Sequence, residues 1–178
     1  MVIEMQRNIA GSILDIGGGG EGMIGRIYGN QVIAIDNRQE ELDEAPDCCE
    51  KRLMDATQLL FPDQSFDHAT FFYSLMYMTR DVQAEAIREA ARVLKRGGRI
   101  HIWDSDIASV GREPYAVDLD IIWDGNCVHT SYGIVKGETQ SSTDVMRILR
   151  ECGFQPERHV LTENHFFICG CKDQTVDR

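Results

Sequence analysis

Ile13-Leu14-Asp15-Ile16 runs directly into Gly17-Gly18-Gly19-Gly20-Glu21-Gly22, and this stretch restricts the fold more than any other. It starts as an apolar strand, carries one acid, and becomes a loop of glycines. Glycine loses the most conformational freedom on folding, so four in succession are unfavourable for stability. Such a loop belongs where a backbone turns tightly and another group approaches closely. Beyond it, Met23, Ile24, Ile27 and Tyr28 recur at helical spacing, and Gly29-Asn30 ends the helix. Gln31 to Asp36 then reads as a second buried strand. Strand, glycine loop, helix and strand make a right-handed crossover unit with a parallel pair.

The rest of the chain extends that unit. Residues 1–10 are mixed and short, with little room for a substantial helix. A short helix is predicted over 39–44 and strands over 51–54, 68–73 and 99–103. Between the last two, 81–95 is amphipathic, with Val82, Ala86, Ile87, Ala90, Val93 and Leu94 on one stripe and Gly97-Gly98 as its stop. Tyr115 to Trp123 and Asn126 to Val135 are extended segments flanking Asp124-Gly125, a hairpin signal. We expect an inserted hairpin or lid over about 115–136. Ser141-x-x-Asp144 resembles a capping box for a helix over 143–152, closed by Gly153. Strands 155–161 and 165–171, joined by Thr162-Glu163-Asn164, must be antiparallel neighbours. The expected fold is a doubly wound, Rossmann-like α/β sheet of seven strands, mostly parallel, with an antiparallel C-terminal strand. One domain is expected to span 1–178.

Charge narrows the partners. A net charge of -11 disfavours nucleic acid, which needs a basic surface. No apolar run approaches the roughly 20 residues of a membrane span. Residues 1–10 lack a signal-peptide core, so a cytoplasmic location is expected. The six cysteines form no C-x-x-C pair and are read as reduced, mostly buried thiols. The histidines His101, His129, His159 and His165 are scattered, and no metal is expected.

Two ligands compete for the glycine loop. Gly17-x-Gly19-x-x-Gly22 satisfies a dinucleotide fingerprint, with Asp36 at about the spacing of its ribose-binding acid. Asp15 separates the readings. A carboxylate just before the first glycine repels a pyrophosphate. S-adenosylmethionine has no phosphate, and its ammonium can pair with that acid.

These residues resemble the class I S-adenosylmethionine-dependent methyltransferases, above all the ubiquinone/menaquinone-biosynthesis-type (type 11) branch. ILDIGGGGEG resembles that family's first motif. Asp55 to Asp67 (DATQLLFPDQSFD) resembles its "DA…LPF.D.SFD" segment, and Ala86 to Gly98 its "REA.RVLKPGG" helix and turn. The resemblance runs from about Ile13 to Trp103. It implies that Asp15, Gly17 and Gly19 hold the methionine end and Asp36 the ribose. It further implies that Asp55 and Ala56 hold the adenine and that Tyr73 and Ser74 flank the methionine and sulfonium. Asp67 takes a structural role, and Arg92 and Lys95 are surface and packing residues. Gly18 and Gly20-Glu21 stand where the family more often has Cys and Thr-Gly, and Arg96 replaces a proline. The N-terminal helices that often cover the cofactor have no counterpart in residues 1–10.

The implied activity is methyl transfer to a small-molecule acceptor by in-line displacement. Loops at the C-terminal edge of the sheet hold the candidates for an acceptor-side base: Tyr77, Asp104, Asp106 and His129. Tyr115, Trp123 and Tyr132 could close over an apolar acceptor, or could serve hairpin packing or a homodimer contact. The alternative is a non-catalytic S-adenosylmethionine-binding module that acts with a partner protein.

Overall fold

The computed structural model describes residues 1–107, 114–135 and 138–173. Residue 136, the expected end of the hairpin, lies outside them. Among the described residues, ten strands form two sheets. The larger has the order β4-β3-β2-β5-β6-β10-β9. In it, β2 (Ile13–Ile16), β3 (Val32–Asp36), β4 (Glu50–Leu53), β5 (Phe66–Phe72) and β6 (Leu94–Ser105) are parallel. β10 (His165–Lys172) enters antiparallel between β6 and β9 (Phe154–Thr162). This is the expected Rossmann-like sheet of seven strands. The smaller sheet has the order β1-β7-β8, where β1 is Val2–Glu4, β7 is Tyr115–Trp123 and β8 is Asn126–Ile134.

β2 lies inside the sheet between β3 and β5 and is buried along its whole length. Successive side chains of a strand point to opposite faces. Leu14 and Ile16 therefore enter one core, where α3 (Arg80–Val93) and α4 (Ser142–Glu151) contribute Ala86, Ile87, Ala90, Val145 and Leu149. Ile13 enters the other, with Ile24 and Ile27 of α1 (Met23–Tyr28) and Val117, Leu119 and Ile121 of the hairpin. Asp15 points the same way as Ile13, into the space below the glycine loop.

Three local expectations change. Residues 1–10 hold a strand, β1 (Val2–Glu4), which pairs in parallel with β7. Three residues carry no readable periodicity, and only the hairpin beside them supplies the ladder. α3 ends at Val93 rather than Lys95, because Leu94 already pairs with Phe66. Gly97-Gly98 therefore sits within β6, where the register with β5 shifts. Val82, read as part of the core stripe, is 38% exposed. Elsewhere, α2 (Gln39–Glu44) falls where expected, and Ser141 caps α4 by accepting the Asp144 N–H.

The segment between β4 and β5 has no helix of its own, and Arg92 holds it. Its guanidinium donates to the carbonyls of Leu59 and Phe61, to Asp63 and to Glu89. Glu89 in turn accepts the Leu59 N–H. This arrangement depends on a planar fork of donors. Arg92→Ala should lower unfolding stability by about 1–2 kcal/mol, allowing for partial solvent exposure. Arg92→Lys should recover less than half of that loss, read from urea midpoints. Full recovery by lysine would show that charge alone suffices.

Candidate functional site

At the C-terminal edge of β2, β3, β4 and β5 the chain leaves a cavity of about 470 Å³. The glycine loop, the ends of the strands and the hairpin surround it. Asp15, Gly17, Gly19, Asp36, Asp55, Ala56, Tyr73 and Ser74, the eight residues expected at the cofactor, all line it. Parallel strands explain the convergence, since they deliver their C-terminal residues to one edge.

The glycines are required mainly by protein atoms. A Cβ at Gly17 would lie 2.5 Å from Ser74 Cβ, and φ there is +73°. A Cβ at Gly18 would collide with the Asp15 carboxylate, and one at Gly19 with Glu41 of α2. Several of the loop's donors are also occupied. The N–H groups of Gly17 and Gly18 both donate to Ile35 O, and that of Gly20 donates to Glu41 O. A pyrophosphate would need such N–H groups to face it.

Asp15 is 1% exposed, and Thr70 Oγ1 donates to its Oδ1 at 2.7 Å. Burial raises its pKa from 3.8 to about 7, against the lowering effect of the Thr70 bond and with a smaller push from Asp36. Asp36 ends β3, accepts the Arg38 N–H, and lies alongside Gly19. Asp55 accepts both the backbone N–H and the hydroxyl of Thr57 at 2.8 Å. With Glu21 and Glu41, five carboxylates border the cavity. Its one arginine, Arg38, pairs with Glu41 at 2.9 Å. Such a site favours a cation over a polyanion. The donor set therefore fits S-adenosylmethionine, with an ammonium and a sulfonium, better than a dinucleotide.

Ser74 Oγ donates to Ile16 O, bracing the end of β2. Tyr73 is fully buried at φ +51°, a conformation that costs an aromatic residue about 1–2 kcal/mol. Its ring stacks on Tyr132 at 5.1 Å and 6°, and its hydroxyl lies 3.0 Å from His165 Nδ1. Tyr132 and Gly133 bring the hairpin to the cavity wall, and the Gly133 N–H donates to the Tyr77 hydroxyl at 3.3 Å.

Of the four acceptor-side candidates, only Tyr77 lines this cavity. Asp104 is buried and accepts from the N–H groups of Met76 and Ser105 and from Gln140 Nε2. Asp106 accepts the Ser142 N–H at the start of α4. His129 is exposed on β8 and pairs with Asp120 at 2.9 Å. Glu41 was not foreseen, because only the tertiary fold lays α2 across the loop. The cysteines are free thiols: Cys169 is buried, Cys127 exposed and the rest half-buried. No metal-ligating cluster occurs among the described residues.

A methyltransferase-domain family profile matches residues 14–102, half of the chain. The chain belongs to the methyltransferase-domain family. Solved structures share its fold. PH0226 protein from Pyrococcus horikoshii is 15% identical with a TM-score of 0.69, covering 94% of this chain and 85% of that one. An S-adenosylmethionine-dependent methyltransferase from Methanosarcina mazei is 20% identical with a TM-score of 0.61, covering 91% and 92%. The [4+2]-cyclase SpnF is 18% identical with a TM-score of 0.65, covering 92% and 76%. No curated protein matches the sequence. These structures share the fold alone, and the cavity lies within the segment matched by the family profile and the hairpin.

Asp15 makes the unliganded methyltransferase domain sensitive to pH. Its folded pKa is raised, so its contribution is fully present below about pH 4 and is lost as pH rises through about 7. Relative to Asp15→Asn, the wild type should lose roughly 2–4 kcal/mol between pH 4 and pH 8. Urea midpoints across that range provide the check, and parallel profiles would contradict an acid held in this state.

Proposed function

We propose that the chain is an S-adenosylmethionine-dependent methyltransferase acting on a small molecule. The observation that carries this reading is the buried Asp15 below a loop whose Gly17, Gly18 and Gly20 donors are already bonded within the protein. Asp15, Gly17 and Gly19 hold the methionine end, and Asp36 accepts from the ribose hydroxyls. Asp55 and Ala56 receive the adenine, while Tyr73 and Ser74 flank the sulfur. The likeness to the ubiquinone/menaquinone-type branch rests on the three sequence motifs and does not select an acceptor.

When bound, S-adenosylmethionine supplies a methyl group activated by its sulfonium. The acceptor's lone pair forms the new bond to carbon as the carbon–sulfur bond breaks, and the thioether leaves without an acid. The protein then has to orient the acceptor and exclude water. Tyr132 and Gly133 of the hairpin, with Tyr77 and Phe72, form the cavity wall on the side where the acceptor would enter. We read the chain as one cytoplasmic domain. Among the described residues no helix is long and apolar enough to cross a membrane.

A second reading is an S-adenosylmethionine-binding module that works with a partner protein or catalyses another reaction. Two observations favour it. Asp104, Asp106 and His129 are engaged elsewhere, and a [4+2]-cyclase shares this fold.

Calorimetry should give saturable binding of S-adenosylmethionine and S-adenosylhomocysteine and none of NAD. Asp36→Ala should weaken the first two by roughly 10- to 100-fold. NAD binding without a response to either sulfur ligand would reject the cofactor assignment. Turnover is then read as labelled methyl transfer to quinol, amine, thiol and carboxylate acceptors. Failure throughout, with cofactor bound, would favour the module.

A further inference from the structure

A second cavity, of about 680 Å³, lies between the N-terminal segment and the face of β6, β10 and β9. It is larger than the cofactor cavity, and Tyr73 lines both. One wall is an aromatic shelf set by strand register. Trp103 pairs with Phe167 and Phe167 with Val160, while His101 pairs with Cys169 and Cys169 with Arg158. All six side chains therefore project from the same face. The rings of Trp103 and Phe167 are 4.7 Å apart, and those of His101 and Trp103 lie 6.0 Å apart and within 15° of parallel. Trp103 and Phe167 are half-buried and line the cavity.

The polar groups on these walls differ in what they can offer. His101 Nε2 lies 3.1 Å from His68 Nδ1, and burial pushes its pKa down to about 3, so it is neutral. Glu157 is held by Arg99 at 2.9 Å. Arg158 lies with its guanidinium 5.4 Å over the Phe167 ring and forms no ion pair among the described residues. The cavity thus combines an aromatic surface with the Arg158 guanidinium at its edge, while the Met1 ammonium, which donates to Asp118 O, and Glu4 lie on its N-terminal wall. Aromatic rings prefer offset stacking on such a surface, and a guanidinium pairs best with a carboxylate. The chain's net charge of -11 opposes anions at a distance, but at physiological ionic strength that field is screened beyond about 8 Å.

We propose that this second cavity is a binding site for a flat aromatic carboxylate, its ring on Trp103 and Phe167 and its carboxylate at Arg158. The site adjoins the cofactor cavity at Tyr73, and its occupancy does not depend on the transferase reading.

The test is calorimetry on the full chain with three probes: 2-naphthoate, neutral 2-naphthol and decahydro-2-naphthoate, which keeps the charge but is not flat. 2-Naphthoate should bind saturably and about tenfold more tightly than either of the others. Arg158→Gln should reduce 2-naphthoate to the affinity of 2-naphthol. Phe167→Leu should bring it down towards decahydro-2-naphthoate. In Trp123→Phe, where Trp103 is the remaining tryptophan, 2-naphthoate should quench the indole emission. S-adenosylhomocysteine binding serves as the control and should be unchanged in Arg158→Gln. Equal affinity for the three probes, or no saturable binding in the wild type, would overturn the proposal without needing a variant. So would an Arg158→Gln chain that binds 2-naphthoate undiminished.

Discussion

A carboxylate buried below a glycine loop is the constraint on which the site depends. Asp15 lies on an interior strand, 1% exposed, and accepts the hydroxyl of Thr70 from the neighbouring strand. Its side chain occupies the space that a Cβ at Gly18 would need. The loop can therefore descend over the acid only as glycine. Burial in turn raises the pKa of the acid. Acid and loop thus explain each other, and a bound cation would relieve the desolvation that both maintain.

The site is assembled by side chains that brace the loop as well as by those that face the cavity. Ser74 crowds Gly17 and donates to Ile16 O, tying the end of β5 to the end of β2. Glu41 packs against Gly19 and its carbonyl accepts the Gly20 N–H. The hairpin closes the remaining side through the stacked pair Tyr73 and Tyr132. Tyr73 holds a strained backbone conformation at the junction of the two cavities, where stacking and its contact with His165 offset the strain.

Much of this was legible in the sequence because it depends on local chemistry. Asp15 and Asp36 lie near the C-terminal ends of apolar strands and Asp55 just beyond a third strand, and parallel strands bring those ends together. Ser141 and Asp144 announce a helix start by their spacing, and Asp124-Gly125 a hairpin. Other features were not legible because their cause lies far along the chain. β1 exists only where β7 offers it a ladder, with Met5 N–H donating to Ile122 O. Leu94 is helical by pattern but extended in fact, since Phe66 on the adjacent strand takes it as a partner. Asp104 and Asp106 are acids on the expected edge, yet Gln140 and Ser142 engage them from the segment leading into α4.

The sequence by itself determined the architecture, the order of alternating elements, and the acid before the glycines that points to a cation. Periodicity, caps and turn residues act over a few positions, so they can be read without coordinates. Only the tertiary structure decided what those glycines meet, which loop donors are already bonded, and which acids face the cavity. It also placed His101, Trp103, Phe167 and Arg158 on one face, joining residues more than fifty positions apart. Strand register, which no local pattern records for so distant a pair, set that juxtaposition.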